Sequence, residues 1–266
     1  MEQLTARDEA PAPTPARSTA ARRGHKALAL VGELMIIAGA LLGLYVVWQL
    51  FYTDVQAGRE QDQVLETLPW SHVNSATAPG ASAEVLIIPD DMRMPPETAP
   101  VMAEPPFGET FATFYVPRWG EDYVKPISQG VTRREILDRL GIGHYPRTQM
   151  PGAVGNFAIS AHRTTYGKPF NRIHELRTGD ALVVETKDAW YVYRVTSDKI
   201  VPPTAIEEIA PMPGDPFSEP DDHYITLTTC HPMYSAAERY VVHGVLEYWA
   251  PQGIGIPREI APEAAS

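Results

Sequence analysis

Tyr224-Ile225-Thr226-Leu227-Thr228-Thr229-Cys230-His231-Pro232 is an alternating, β-branched run that stops at a Pro-marked turn, and Arg239 follows nine residues after the cysteine. Residues of this kind at period two fit a pleated, half-buried strand, so the thiol is placed at a strand end. Cys230 is the only cysteine in the 266-residue chain. That excludes an intrachain disulfide and a Cys-rich zinc framework. Far upstream, His162 closes another short apolar run, Phe157-Ala158-Ile159-Ser160-Ala161. A lone thiol, a distant imidazole and an Arg at strand ends are the parts of thiol-based acyl transfer. The residues alone also fit a blander set of roles: an inert core Cys, a hydrogen-bonded structural His and a solvated Arg. A zinc site on Cys230, His231 and His162 has poor ligand spacing, so neither metal nor cofactor is expected.

Around this run lie further short strand patterns: Thr110–Val116, Asn156–Ala161, Ala181–Thr186, Trp190–Ile200 and Tyr240–Trp249. Lys187-Asp188 reads as a tight hairpin turn between two of them. Helix signals are few. Thr132 with Glu135 forms a capping box, Gly141 is its stop, and Thr204–Glu207 starts a second short turn. Many short strands with sparse helices predict a mainly β fold, a closed β-barrel, over residues 107–250. Residues 251–266 read as a loose C-terminal tail.

The N-terminal part has a different character. Residues 1–26 carry five basic and three acidic residues, whereas the chain after Tyr52 carries 17 basic and 29 acidic. An overall charge of −11 argues against nucleic-acid binding, because phosphate needs a basic footprint. Residues 27–52 are almost wholly apolar, and 18 to 20 helical residues span roughly 27–30 Å, the thickness of a bilayer's hydrocarbon. Arg22, Arg23 and Lys26 before the span, and Trp48 and Tyr52 at its end, predict one transmembrane helix with a cytoplasmic N-terminus. A cleaved signal peptide wants a shorter apolar stretch and a small-x-small site. The catalytic part is thus expected outside the cell membrane. Residues 53–106, rich in Pro, Ala and Glu, read as an extracellular tether with a reach of roughly 40 Å. Two alternatives remain for parts of it. Residues up to Asp62 extend the helix, or apolar Val85–Ile88 packs on the domain.

Thr226-Leu227-Thr228-Thr229-Cys230-His231-Pro232-Met233-Tyr234-Ser235-Ala236-Ala237-Glu238-Arg239 resembles the signature of the sortases, in which a Thr-Leu-x-Thr-Cys strand end is followed by an Arg that opens the next strand. Gly155-Asn156-Phe157-Ala158-Ile159-Ser160-Ala161-His162-Arg163-Thr164-Thr165-Tyr166-Gly167 resembles the segment that carries the sortase histidine. Tyr115-Val116-Pro117-Arg118 and Gly143-His144-Tyr145-Pro146 fit the earlier strands and connection. Cys230-His231-Pro232 with Tyr234-Ser235-Ala236 is most similar to class E sortases of high-GC Gram-positive bacteria. The resemblance implies a sortase-type barrel and a membrane-anchored cysteine transpeptidase. Such an enzyme cleaves a C-terminal sorting signal, Leu-Ala-x-Thr-Gly, between Thr and Gly. It then passes the thioacylated protein to a peptidoglycan precursor amine on a lipid II stem peptide. It further implies catalytic roles for His162, Cys230 and Arg239, and substrate contacts from Thr229 and Tyr115, the latter on motif preference. The loops Pro202–Asp222 and His231–Glu238 would wall the signal groove.

Three other readings compete. Another thiol enzyme of the wall is the first: an L,D-transpeptidase expects His-Gly-Cys at its nucleophile, which is absent, and a cell-wall cysteine peptidase places Cys before His, the reverse of the order here. A pilin-polymerising sortase carries an Asp-Pro-aromatic lid before the barrel, but Asp215-Pro216-Phe217 lies between strands. A catalytically silent, membrane-anchored binding domain would keep the barrel without needing the intact Cys, His and Arg.

Overall fold

Eight strands close into a barrel around an apolar interior. A computed structural model describes residues 19–71 and 86–262. The strands are β1 (Thr110–Tyr115), β2 (Val124–Gln129), β3 (Ile142–His144), β4 (Gly155–Ser160), β5 (Ala181–Thr186), β6 (Ala189–Val201), β7 (His223–His231) and β8 (Glu238–Pro251). They close in the order β1-β2-β3-β4-β7-β8-β6-β5. Most neighbours are antiparallel, while β2–β3 and β4–β7 are parallel. Phe114, Phe157, Ile159, Leu182, Val184, Tyr193, Ile225, Leu227 and Val242 fill the interior and are buried. Phe157 sits edge-on to Phe111 at 6.5 Å.

β2 and β3 lie outside the strand patterns read from sequence. β2 contains Pro126, which cannot donate to a ladder and argues against a central strand. The structure accommodates it because pairing with β3 begins only at Ile127. β3 has three residues, too few for alternation to show. The helix signalled by Thr132 forms as one π-helical turn, Arg133–Leu137, with Thr132 Oγ1 3.0 Å from Glu135 Oε2.

A second apolar layer covers the outside of one barrel wall. Tyr115, Val183, Trp190, Val192, Tyr248 and Ala250 pack there beneath Ile88 and Ile256. Ile87 and Ile256 form a parallel bridge, and Met94 pairs with Trp249. Residues 86–106 therefore lie on the barrel instead of hanging free, as the apolar Val85–Ile88 alternative allowed. The same bridge overturns the loose-tail expectation up to residue 262. Ile256 is buried, and Glu259 takes hydrogen bonds from Arg194 and Tyr248. Both segments supply apolar and charged partners that a short strand wall leaves open.

The α-helix α1 (Thr19–Glu66) is 48 residues long and runs past the expected end at Tyr52. From Leu28 to Gln49 its side chains are exposed, and it is long and apolar enough to cross a bilayer. That stretch forms a unit distinct from residues 50–266. The charge bias of residues 1–18 and the middle of the expected tether lie outside the described residues.

Candidate active site

Strand register brings Cys230 and Arg239 together. Cys230 is paired with Arg239 across β7 and β8, so a side chain nine residues away in sequence becomes its direct cross-strand neighbour. His162 arrives by a different route. β4 runs parallel to β7 with Ser160 opposite Thr228, and the amide of Ala161 continues the ladder onto Thr228 O at 3.3 Å. That register is offset by 68 residues, which is also the separation of His162 and Cys230. The chain therefore leaves β4 level with the thiol.

His162, Cys230 and Arg239 line one groove of about 530 Å³. Thr229 lines it too, but its hydroxyl is committed, donating to Ala161 O at 2.7 Å and fixing the end of β4. Tyr145, Leu137 and Val131 supply apolar wall, and Tyr234, Ser235 and Ala236 come from the β7–β8 loop. That loop is one of the two walls expected from sequence. The other, Pro202–Asp222, does not line the groove. It is tied to the barrel's outer face, where Asn156 Nδ2 donates to Glu208 O and Ala210 O at 3.1 and 2.9 Å. Buried Glu208 accepts from Lys199 and meets His243 Nε2 at 3.0 Å. Within this loop Phe217 of Asp215-Pro216-Phe217 is 96% exposed and covers nothing.

Tyr115 is also not brought to the groove. On β1, Ala112 and Phe114 point inward, so Thr113 and Tyr115 point out. The phenol donates to Glu185 Oε2 at 2.5 Å and packs on Trp190. Burial, then the Glu185 carboxylate, push its pKa well above the ordinary tyrosine value. The expected substrate contact is withdrawn, because a strand's alternation sends this side chain to the opposite face.

Two groove neighbours were not legible beforehand. Asp138, at the end of the π-helical turn, lies with Oδ1 2.7 Å from His162 Nε2, and both side chains are largely shielded. An ionised carboxylate only accepts, so Nε2–H donates and Nδ1 is the nitrogen left for proton transfer. The ring of Tyr166 lies on the imidazole with centroids 5.3 Å apart. The second neighbour is Arg163, 5% exposed. Its Nη1 is 3.3 Å from Cys230 O and 2.7 Å from His231 Nδ1, and its guanidinium lies 5.4 Å from the Tyr240 ring centroid. Burial lowers its pKa from the usual arginine value. Arg133, Arg163 and Arg239 line the groove, so a chain of net charge −11 presents a cationic face there. The guanidinium of Arg239 meanwhile donates to Ala236 O and Glu238 O at 3.1 and 2.9 Å. Among the described residues no cluster of three or more His, Cys, Asp or Glu could hold a metal ion.

A family profile described as the sortase domain matches residues 114–247. The chain is 32% identical to Sortase SrtE1 of Streptomyces coelicolor over 97% of its own length. It spans 66% of that relative, just under two thirds. It is 31% identical to Sortase SrtE2 of the same organism, with 85% of this chain and 84% of that one covered. Among solved structures, the SrtA sortase from Actinomyces oris aligns at a TM-score of 0.60 and 40% identity, covering 63% of this chain and 95% of that one. A closed barrel whose groove holds a lone cysteine, and a match over half the chain, lead to one conclusion: the chain belongs to the sortase family of cysteine transpeptidases, with class E sortases among its relatives.

Proposed function

We propose that this transpeptidase is anchored by α1 with its N-terminus in the cytoplasm and its barrel outside. In this reading it cleaves a Leu-Ala-x-Thr-Gly-like sorting signal between Thr and Gly. Cys230 Sγ attacks the Thr carbonyl carbon while the thiol proton passes to His162 Nδ1. The carbonyl becomes a tetrahedral oxyanion, held by the Arg239 guanidinium. The bond to the Gly nitrogen breaks, and His162 returns the proton to that leaving amine. A thioester on Cys230 remains. An amine of a peptidoglycan precursor then attacks it, loses its proton to His162, and the thiol is restored. Arg239 must leave its loop carbonyls for this role, an exchange of neutral acceptors for an anionic one.

The observation that carries this reading is the convergence of His162, Cys230 and Arg239 on one groove from three separate strand ends. The cationic lining suits an enzyme that stabilises developing negative charge. Asp138 acts on the imidazole as an orienting acceptor and does not touch substrate.

The test is mass spectrometry of the full chain in detergent micelles, incubated with a Leu-Ala-x-Thr-Gly peptide and with amine acceptors. A mass gain of the acyl portion on Cys230 is expected, lost in Cys230→Ala, with transfer to the added amine. Retained cleavage in Cys230→Ala would remove the nucleophile assignment. An adduct without transfer to any amine would reduce the reading to a peptidase.

A further inference from the structure

The end of α1 does more than leave the bilayer segment. Residues 53–66 belong to the same unit as the barrel and show it a single stripe. Ala57, Gln61 and Leu65 are buried, as is Leu68 just beyond, whereas Gln56, Arg59, Asp62 and Gln63 are exposed. A spacing of three and four residues is one helix face. At its centre stands a glutamine with no exposed surface, and a buried amide requires a polar reason.

Gln61 touches two turns. Its Nε2 donates to Tyr166 O at 3.2 Å. It also fills space that only glycine leaves open. A Cβ on Gly141 would meet Gln61 Cδ at 3.1 Å, and one on Gly167 would meet Nε2 at 2.9 Å. Both glycines have left-handed backbone, φ +91° and +75°. Two turns of helix earlier, Asp54 Oδ1 accepts from Gly167 N at 3.2 Å and Oδ2 pairs with Lys168 Nζ at 3.0 Å. On the other side Glu60 accepts from Arg139 Nε at 3.1 Å.

The two turns are those of His162 and of its carboxylate partner Asp138. Tyr166–Lys168 begins four residues after His162, and its Tyr166 ring lies on the imidazole. Arg139–Gly141 follows Asp138 directly. Tyr166 and Lys168 themselves have φ +55° and +39°, a conformation that non-glycine residues keep only under outside support. We propose that residues 53–66 of α1 are a positioning element of the active site, with Asp54 and Gln61 holding the His162 turn and Glu60 and Gln61 holding the Asp138 turn. The proposal rests on the reading of His162 as the acid–base group. It implies that a soluble form beginning after residue 66 carries the barrel without its clamp.

The experiment uses the full chain in micelles with Asp54→Ala, Asp54→Asn, Gln61→Ala and Lys168→Met, each checked for a melting temperature near wild type. Three quantities are measured: amide exchange at Gly167 and Lys168, the proton resonance of the His162 imidazole N–H, and kcat and KM on the Leu-Ala-x-Thr-Gly peptide. Asp54→Ala and Gln61→Ala should speed exchange, broaden the imidazole resonance and lower kcat roughly ten-fold with KM unchanged, since small misplacements cost rate more than binding. Asp54→Asn, which still offers an oxygen to Gly167 N–H, should recover most of the loss. Lys168→Met should fall between wild type and Asp54→Ala. Faster exchange with an unchanged imidazole resonance and unchanged kcat would overturn the proposal, leaving a helix that docks without positioning. Unchanged exchange would overturn it as well. If the wild-type chain forms no thioacyl adduct, the acyl-transfer reading fails instead. The clamp then stands or falls on the exchange and the imidazole resonance.

Discussion

Replacing Asp138 separates orientation from charge. Its Oδ1 accepts from His162 Nε2 at 2.7 Å, and the two side chains are only 14% and 16% exposed. A hydrogen bond to a charged group contributes about 1.5–3 kcal/mol, against about 0.5–1.5 for a neutral one. Asp138→Asn keeps an oxygen of the same shape but removes the charge, a loss of about 1–1.5 kcal/mol, or roughly 5–15-fold in rate. Asp138→Ala removes the acceptor altogether and should slow the enzyme roughly 10–150-fold. Arg133, 3.8 Å from the carboxylate and 73% exposed, adds little to the comparison. The assay is single-turnover thioacylation of the full chain, quenched in acid and read by intact mass, alongside steady-state kcat and KM. Acylation should slow in the order wild type, Asn, Ala, while KM stays within about two-fold, because Asp138 is not among the residues lining the groove. An Ala variant that acylates as fast as wild type would refute the orienting role. A variant with raised KM and normal kcat would move Asp138 to substrate binding.

Arg163→Lys should slow acylation although it keeps the charge, because a single ammonium cannot hold both Cys230 O and His231 Nδ1 and lie against the Tyr240 ring; equal rates would make Arg163 a mere point charge. His144 is fully buried, 2.7 Å from Gln129 Oε1, and burial pulls its pKa down to about 4. A depressed histidine favours the fold above its ordinary value near 6.5, so stability should fall as pH drops from about 6.5 to 4, by about 3 kcal/mol in full. Urea titrations across that window should show the slope, and His144→Gln should flatten it. Phe157→Ala, inside the barrel and 1% exposed, should cost about 3–5 kcal/mol in the same titrations.

Much of this protein is written locally. The apolar stretch of α1, the short apolar runs of β4 and β5, the β-branched alternation of β7, and the thiol's position at a strand end all follow from short-range chemistry. Alternation reports which residues a strand buries, and an apolar run reports which solvent a helix suits. β2 escapes this logic because Pro126 argues against a strand, and only a neighbour that joins after it makes the proline harmless. Tyr115 escapes it for a subtler reason. Sequence names the strand it sits on, but which face meets the groove depends on how the sheet closes.

The site itself is a long-range object. Cys230 and Arg239 meet because β7 and β8 pair in one register, and His162 meets them because β4 lies parallel to β7 at an offset of 68 residues. Nothing adjacent to Asp138 distinguishes it from Glu135, since its partner is 24 residues away. Arg163, likewise, gains its role from a strand end 67 residues distant. Backbone pairing between remote segments sets these meetings, and periodicity within a segment carries no information about its partner. Local pattern therefore specified a barrel, a helix long and apolar enough to cross a bilayer, and a thiol at a strand end, while the closure of the sheet chose that thiol's company.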